Sequence, residues 1–122
     1  MAEWYDDPAF DGQSERHGGK WLQGEAWRRL QSAKERGLDQ VVAAAGTTFR
    51  AGHVKAAMRA NRNVAIVPEP DNPADNEARR VEVCGWHVGY VPRGSPLSPG
   101  SRAEVIKMGT SPQPHVWIAV GA

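Results

Sequence analysis

The chain has 122 residues, with 40% hydrophobic and 24% charged residues and a formal net charge of +1, which leaves room for one domain core and no more. The charge is split: residues 1–45 hold 6 Lys+Arg against 8 Asp+Glu, and residues 46–122 hold 9 against 6. Neither part has the basic excess of a protein that coats duplex DNA through many phosphate contacts, no apolar run reaches the roughly 18 residues of a membrane span, and a single cysteine, Cys84, excludes an intrachain disulfide or a multi-cysteine metal site. A soluble, unsecreted protein of the cytoplasm is the expectation.

Met1 to Gly19 mixes acids, glycines and the aromatics Trp4, Tyr5 and Phe10 without a period, and reads as an irregular arm. From Lys20 to Arg36, Leu22, Ala26, Leu30 and Ala33 recur at helical spacing, which predicts an amphipathic helix closed by Gly37. Residues 1–38 are thus read as arm and helix, and residues 39–122 as the main domain. Gln40 to Ala45 suits a short buried strand, and His53 to Ala60 a second helix. In Asn63 to Val67 both alternating sets are apolar, predicting a strand buried on both faces, with Pro68 as its end or as an edge mark.

Ala78–Cys84 and Trp86–Val91 alternate strongly about Gly85 and predict a hairpin; Ser95–Ser101 reads as a loop, and Ala103–Lys107 and His115–Val120 as two final strands. The expected class is mainly β with two helices (α+β), a small and strongly bent sheet or barrel of about six short strands.

The most informative stretch joins two predicted strands: Glu69-Pro70-Asp71-Asn72-Pro73-Ala74-Asp75-Asn76-Glu77-Ala78. Two prolines fix φ, while Asp71, Asn72, Asp75 and Asn76 are suited to bonding nearby amides as Asx turns, so a rigid loop is expected. Catalytic signatures are missing: His17, His53, His87 and His115 are scattered, Gly18-Gly19-Lys20 lacks the rest of a phosphate-binding loop, and the prolines mark Glu69, Asp71 and Asp75 as turn-formers in place of metal ligands. The chain is read as a non-enzyme without cofactor or metal.

Taken together, Gly46-Thr47-Thr48-Phe49-Arg50, the Glu69–Ala78 loop, Val81, Val83 and His87-Val88-Gly89-Tyr90-Val91-Pro92-Arg93 resemble the HIRAN domain. The resemblance runs from about Val41 to Val120. It implies an OB-like β-barrel with accompanying helices and, by likeness to members fused to DNA-remodelling helicases, binding of single-stranded DNA with capture of a free 3′ end; a stand-alone bacterial or phage-type member is implied.

Carried over by position, Thr48 and Phe49 would line one wall of the pocket, Asp75 would accept a hydrogen bond from the terminal 3′-hydroxyl, and Tyr90 and Arg93 would close the other side. A carboxylate accepts from a hydroxyl and repels a phosphate, Arg93 suits the preceding phosphate, and Phe49 or Tyr90 a base face. Arg50, Asn72, Arg79, Arg80 and Trp86 are further candidates. Ala74 stands where those members carry an aromatic, Thr48 and Phe49 replace an aromatic pair, and Ser95–Gly100 replaces a helix. The competing expectation is a protein-interaction or structural module that binds a partner through Trp4, Tyr5, Phe10 and the first helix.

Overall fold

The computed structural model describes residues 14–17, 19–59, 63–95 and 101–121. Strands β1 (Ser14–His17) and β2 (Lys20–Gln23) form an antiparallel hairpin pairing Arg16 with Trp21 and Glu15 with Leu22. This corrects two expectations. The end of the predicted arm is a strand, and the first four residues of the predicted helix are its partner. Gly24, at φ 60, turns the chain out of β2, and helix α1 begins only at Glu25, running to Glu35. Leu22 is buried as expected, but from a strand.

Helix α1 buries Ala26, Leu30 and Ala33. Its end is a Schellman arrangement: Gly37 N–H donates to the Lys34 carbonyl at 3.0 Å and Leu38 N–H to the Ala33 carbonyl at 3.0 Å, with Gly37 at φ 82. Leu38 tucks into the same apolar cluster as Ala33. Glu15 of β1 accepts from Gln31 and Lys34, tying the hairpin to the helix.

Strand β3 (Gln40–Ala43) follows, then a 3₁₀ turn at Thr47–Arg50 leading into helix α2 (Ala51–Ala57), which starts two residues earlier than expected. Five strands complete the chain: β4 (Val64–Pro68), β5 (Arg79–Val83), β6 (Trp86–Tyr90), β7 (Arg102–Gly109) and β8 (His115–Gly121). The β5–β6 hairpin turns on Cys84 at φ 50 and Gly85 at φ 84, the two positive dihedrals that a type I′ turn requires.

The ladders form two three-stranded sheets, β3-β8-β7 and β4-β5-β6. Isolated bridges join them at both seams, Ala45 to Tyr90 and Asn63 to Glu104. Six strands therefore follow one another in barrel order around one core, without a continuous ladder at the seams. The main core holds Val42, Val54, Val81, Val83, Val88, Val105, Val116, Ile118 and Val120 between the sheets and under α2. A second cluster on the outer face of β7 and β8 joins Ile106 and Ala119 to Leu22, Leu30 and Leu38. Strand β8 is thus covered on both faces.

Strand β4 is not, contrary to the expectation of two buried faces: Ala65 and Pro68 are exposed and Val64, Ile66 and Val67 half-buried. It is an edge strand of its ladder, where Pro68, with no N–H to donate, is tolerated. Among the described residues no helix is long and apolar enough to cross a membrane.

Candidate nucleic-acid interface

The loop between β4 and β5 is held by its own side chains. Its base closes through Glu69 N–H to the Ala78 carbonyl at 2.9 Å, and Asn72 N–H donates to the Glu69 carbonyl at 3.0 Å across Pro70 and Asp71. Asn72 Oδ1 accepts from the amides of Ala74 at 2.9 Å and Asp75 at 3.2 Å, and Asp75 Oδ1 accepts from Glu77 N–H at 2.9 Å. Of the four Asx candidates, Asn72 and Asp75 are seen to organise the turn.

Glu69 is the centre of the first cluster. Its Oε1 accepts from Asn72 Nδ2 at 2.9 Å and from the Tyr90 hydroxyl at 3.0 Å, while Arg80 approaches Oε2 at 3.4 Å and also pairs with Glu82 at 2.5 Å. The Asn72 amide, followed by the Tyr90 and Arg80 donors, holds the Glu69 carboxyl below the usual carboxylate range. Burial first, and the bond to Glu69 second, push the Tyr90 hydroxyl up. The Arg50 guanidinium lies 5.6 Å from the centroid of the Tyr90 ring, a cation–π distance. His87 meets the same ring edge-on at 4.8 Å. Its Nε2 is buried with no hydrogen-bond partner among the described residues, and burial, reinforced by the positive charge of Arg50, lowers its pKa.

A second group surrounds a cavity of about 270 Å³ lined by Asp75, Glu77, Ala78, Arg79, Val91, Pro92, Arg93 and Gly94. Arg93 Nε donates to Asp75 Oδ2 at 3.2 Å. The two partners are unequal: the arginine side chain is 81% exposed and the aspartate 27%. An ion pair in so much solvent adds little to stability, so the arginine is free to change partners cheaply.

The sequence-selected residues therefore separate. Asp75, Arg79 and Arg93 share the cavity; Arg50, Asn72, Arg80 and Tyr90 gather around Glu69. The Tyr90 hydroxyl bonds Glu69 and lines no wall opposite Asp75. Thr48 is exposed, and Phe49, 90% exposed, presents its ring to solvent one residue before Arg50. Trp86 is 42% exposed and stacks obliquely on His53, with centroids 5.4 Å apart. Trp4, Tyr5 and Phe10 lie outside the described residues, and the apolar stripe of α1 is packed on the sheet.

Glu69 and His87 are the residues that sequence reasoning passed over. The signal for Glu69 was its place at the start of the loop, two residues after an apolar strand; for His87 no sequence signal separates it from the other histidines. Among the described residues no group of three or more His, Cys, Asp or Glu is gathered closely enough to hold a metal ion.

The family model for the HIRAN domain matches residues 38–98. That span runs from Leu38 through β3, α2 and β4–β6, and contains every residue of both clusters; β7 and β8, which complete the strand order, lie outside it. No curated protein and no solved structure matches the chain.

Proposed function

The chain belongs to the HIRAN domain family, which supports DNA as its partner, and from that premise we propose that it is a non-catalytic module that binds single-stranded DNA and takes up the free 3′ end at the Asp75–Arg93 cavity. The observation that carries the reading is the exposed, single-bonded Arg93 on Asp75 at the rim of that cavity. Asp75 Oδ1 is engaged by the Glu77 amide, which fixes the carboxylate, while among the described residues Oδ2 is bonded by Arg93 alone. Turning Arg93 outward onto the last phosphodiester frees Oδ2 to accept from a 3′-hydroxyl. A terminal phosphate at the same place meets a fixed carboxylate and is repelled.

Fluorescence anisotropy with labelled single strands tests this, comparing a free 3′-hydroxyl with a 3′-phosphate and with a blunt duplex. The expected result is a preference for the free single-stranded end of about tenfold or more, the equivalent of one hydrogen bond to a charged group, which Asp75→Ala reduces to parity. Equal binding of both ends by the unaltered protein would sink end capture.

A further inference from the structure

An open groove of about 830 Å³ lies on another part of the surface, between the β1–β2 hairpin, the end of α2 and the β7–β8 turn. Trp21, Met58, Met108, Pro114 and Trp117 supply its apolar lining, and Lys20 and Lys107 its charge. Trp21 is 37% exposed and has the Arg16 guanidinium 5.9 Å from its ring centroid. No aspartate or glutamate is among the described lining residues, and among the described residues neither lysine makes an ion pair. A surface of two indoles, soft apolar side chains and uncompensated cations is complementary to a strand whose bases have π faces and whose backbone is anionic.

One wall of the groove is tied to the turn that carries Arg50 of the first cluster. Thr47, at the start of the 3₁₀ turn that carries Phe49 and Arg50, donates its hydroxyl to the Pro114 carbonyl at 2.8 Å, and Pro114 forms part of the groove wall. We infer that this groove is a second contact surface for single-stranded DNA, with Trp21 and Trp117 against bases and Lys20 and Lys107 against phosphates. The inference rests on the proposed reading for its ligand, single-stranded DNA, but not on end capture.

The test uses thymidine strands of about four and about twelve nucleotides, within the range of site sizes for folds of this kind, each blocked by a 3′-phosphate so that the end site does not contribute. The full chain is expected to bind the longer blocked strand at low salt and to quench its tryptophan emission. Charge reversal at two exposed positions, Lys20→Glu with Lys107→Glu, is expected to weaken that binding at least tenfold and to flatten the slope of log K against log salt by about 1.4, the share of two single-strand phosphates. Trp21→Ala should weaken it about tenfold while removing part of the quenching.

In both variants the ratio of affinities for 3′-hydroxyl and 3′-phosphate on the short strand should stay at the wild-type value. If the full chain does not bind the blocked twelve-mer at low salt, or the double charge reversal binds it as tightly as the wild type, the groove is not a DNA surface. Occupancy by the acidic residues 1–13 instead would show as binding only after their deletion, and also overturns the inference for the full chain. A wild-type ratio near one would count against end capture alone.

Discussion

Replacing Gly89 by alanine attacks the seam on which the first cluster stands. A Cβ at this position would lie 2.7 Å from the Ala45 carbonyl oxygen and 3.1 Å from both Ala44 Cβ and Thr47 Cγ2. The same oxygen accepts the Tyr90 N–H at 2.8 Å, and Ala45 N–H returns a bond to the Tyr90 carbonyl at 2.7 Å. Relief of the clash must lengthen that reciprocal pair, because the nearest atom is backbone. Losing most of two backbone bonds costs about 1–2 kcal/mol, and overpacking strain adds about 1–3 kcal/mol. A total near 3 kcal/mol corresponds to about 12 °C in the melting midpoint of a domain of this length.

Thermal and urea unfolding followed by circular dichroism measure it, with Gly52→Ala in α2 as the control. A Cβ there meets nothing within 4 Å, and a helical glycine-to-alanine change stabilises by about 0.5–1 kcal/mol. A Gly89→Ala protein melting within about 3 °C of the wild type would refute the account of the seam as a rigid backbone crossing.

Other expectations follow from the same geometry. Phe49→Ala should leave the melting midpoint within about 2 °C, since the ring is 90% exposed, yet weaken single-strand binding about tenfold if the ring stacks on a base; unchanged anisotropy would remove Phe49 from the interface. Thr47→Val deprives the Pro114 carbonyl of its 2.8 Å donor in a buried place and should cost about 1–2 kcal/mol in urea unfolding. The lowered pKa of His87 means that the unfolded chain binds the proton more readily. Stability is then complete above the ordinary value of about 6.5 and declines as pH falls from there toward the folded-state pKa. Glu69, also lowered, adds a separate loss that begins below about 4.5. Urea titrations at stepped pH should show the upper decline vanish in His87→Gln and the lower one persist; an unaltered upper decline would mean that another group titrates there.

Where periodicity and turn chemistry agreed, the elements were legible: the Cys84–Gly85 turn stood out because alternation on both sides left a single place to reverse. The first helix was misread at its start because Leu22 happens to continue the spacing of Ala26, Leu30 and Ala33. A strand residue one turn ahead of a helix buries itself in the same cluster, and only Gly24 betrays the break. Strand β4 looked doubly buried because its residues are apolar throughout, but coverage depends on what the second face meets, which one strand's sequence does not contain.

The site was legible to a similar depth. Asp75 with Arg93, and Asn72 as a loop organiser, could be picked out from the segment that holds them. The separation of Tyr90 from Asp75 could not, because it depends on Glu69 capturing the hydroxyl from across the sheet. The groove has no signature in the sequence because Lys20 and Trp21, Met58, and Lys107 and Trp117 come from three separate parts of the chain.

The position of β8 has a consequence for how the molecule comes into being. It is the last described strand to be synthesised, yet it sits between β3 and β7 and contributes to both apolar clusters. Until it emerges, β3 lacks its ladder partner and the outer cluster under α1 lacks Ala119. The β5–β6 hairpin, by contrast, pairs strands that adjoin in sequence, although Val81, Val83 and Val88 still await the residues of β7 and β8 that cover them. Folding should therefore begin locally in the middle of the chain and be completed by a contact spanning some of the longest sequence separations in the fold, a topology that slows the final step. During synthesis the nascent chain would expose the unpaired edge of β3 for the whole time taken to translate the segment from α2 to β7, and a chaperone that shields strand edges is the kind of factor from which it stands to benefit.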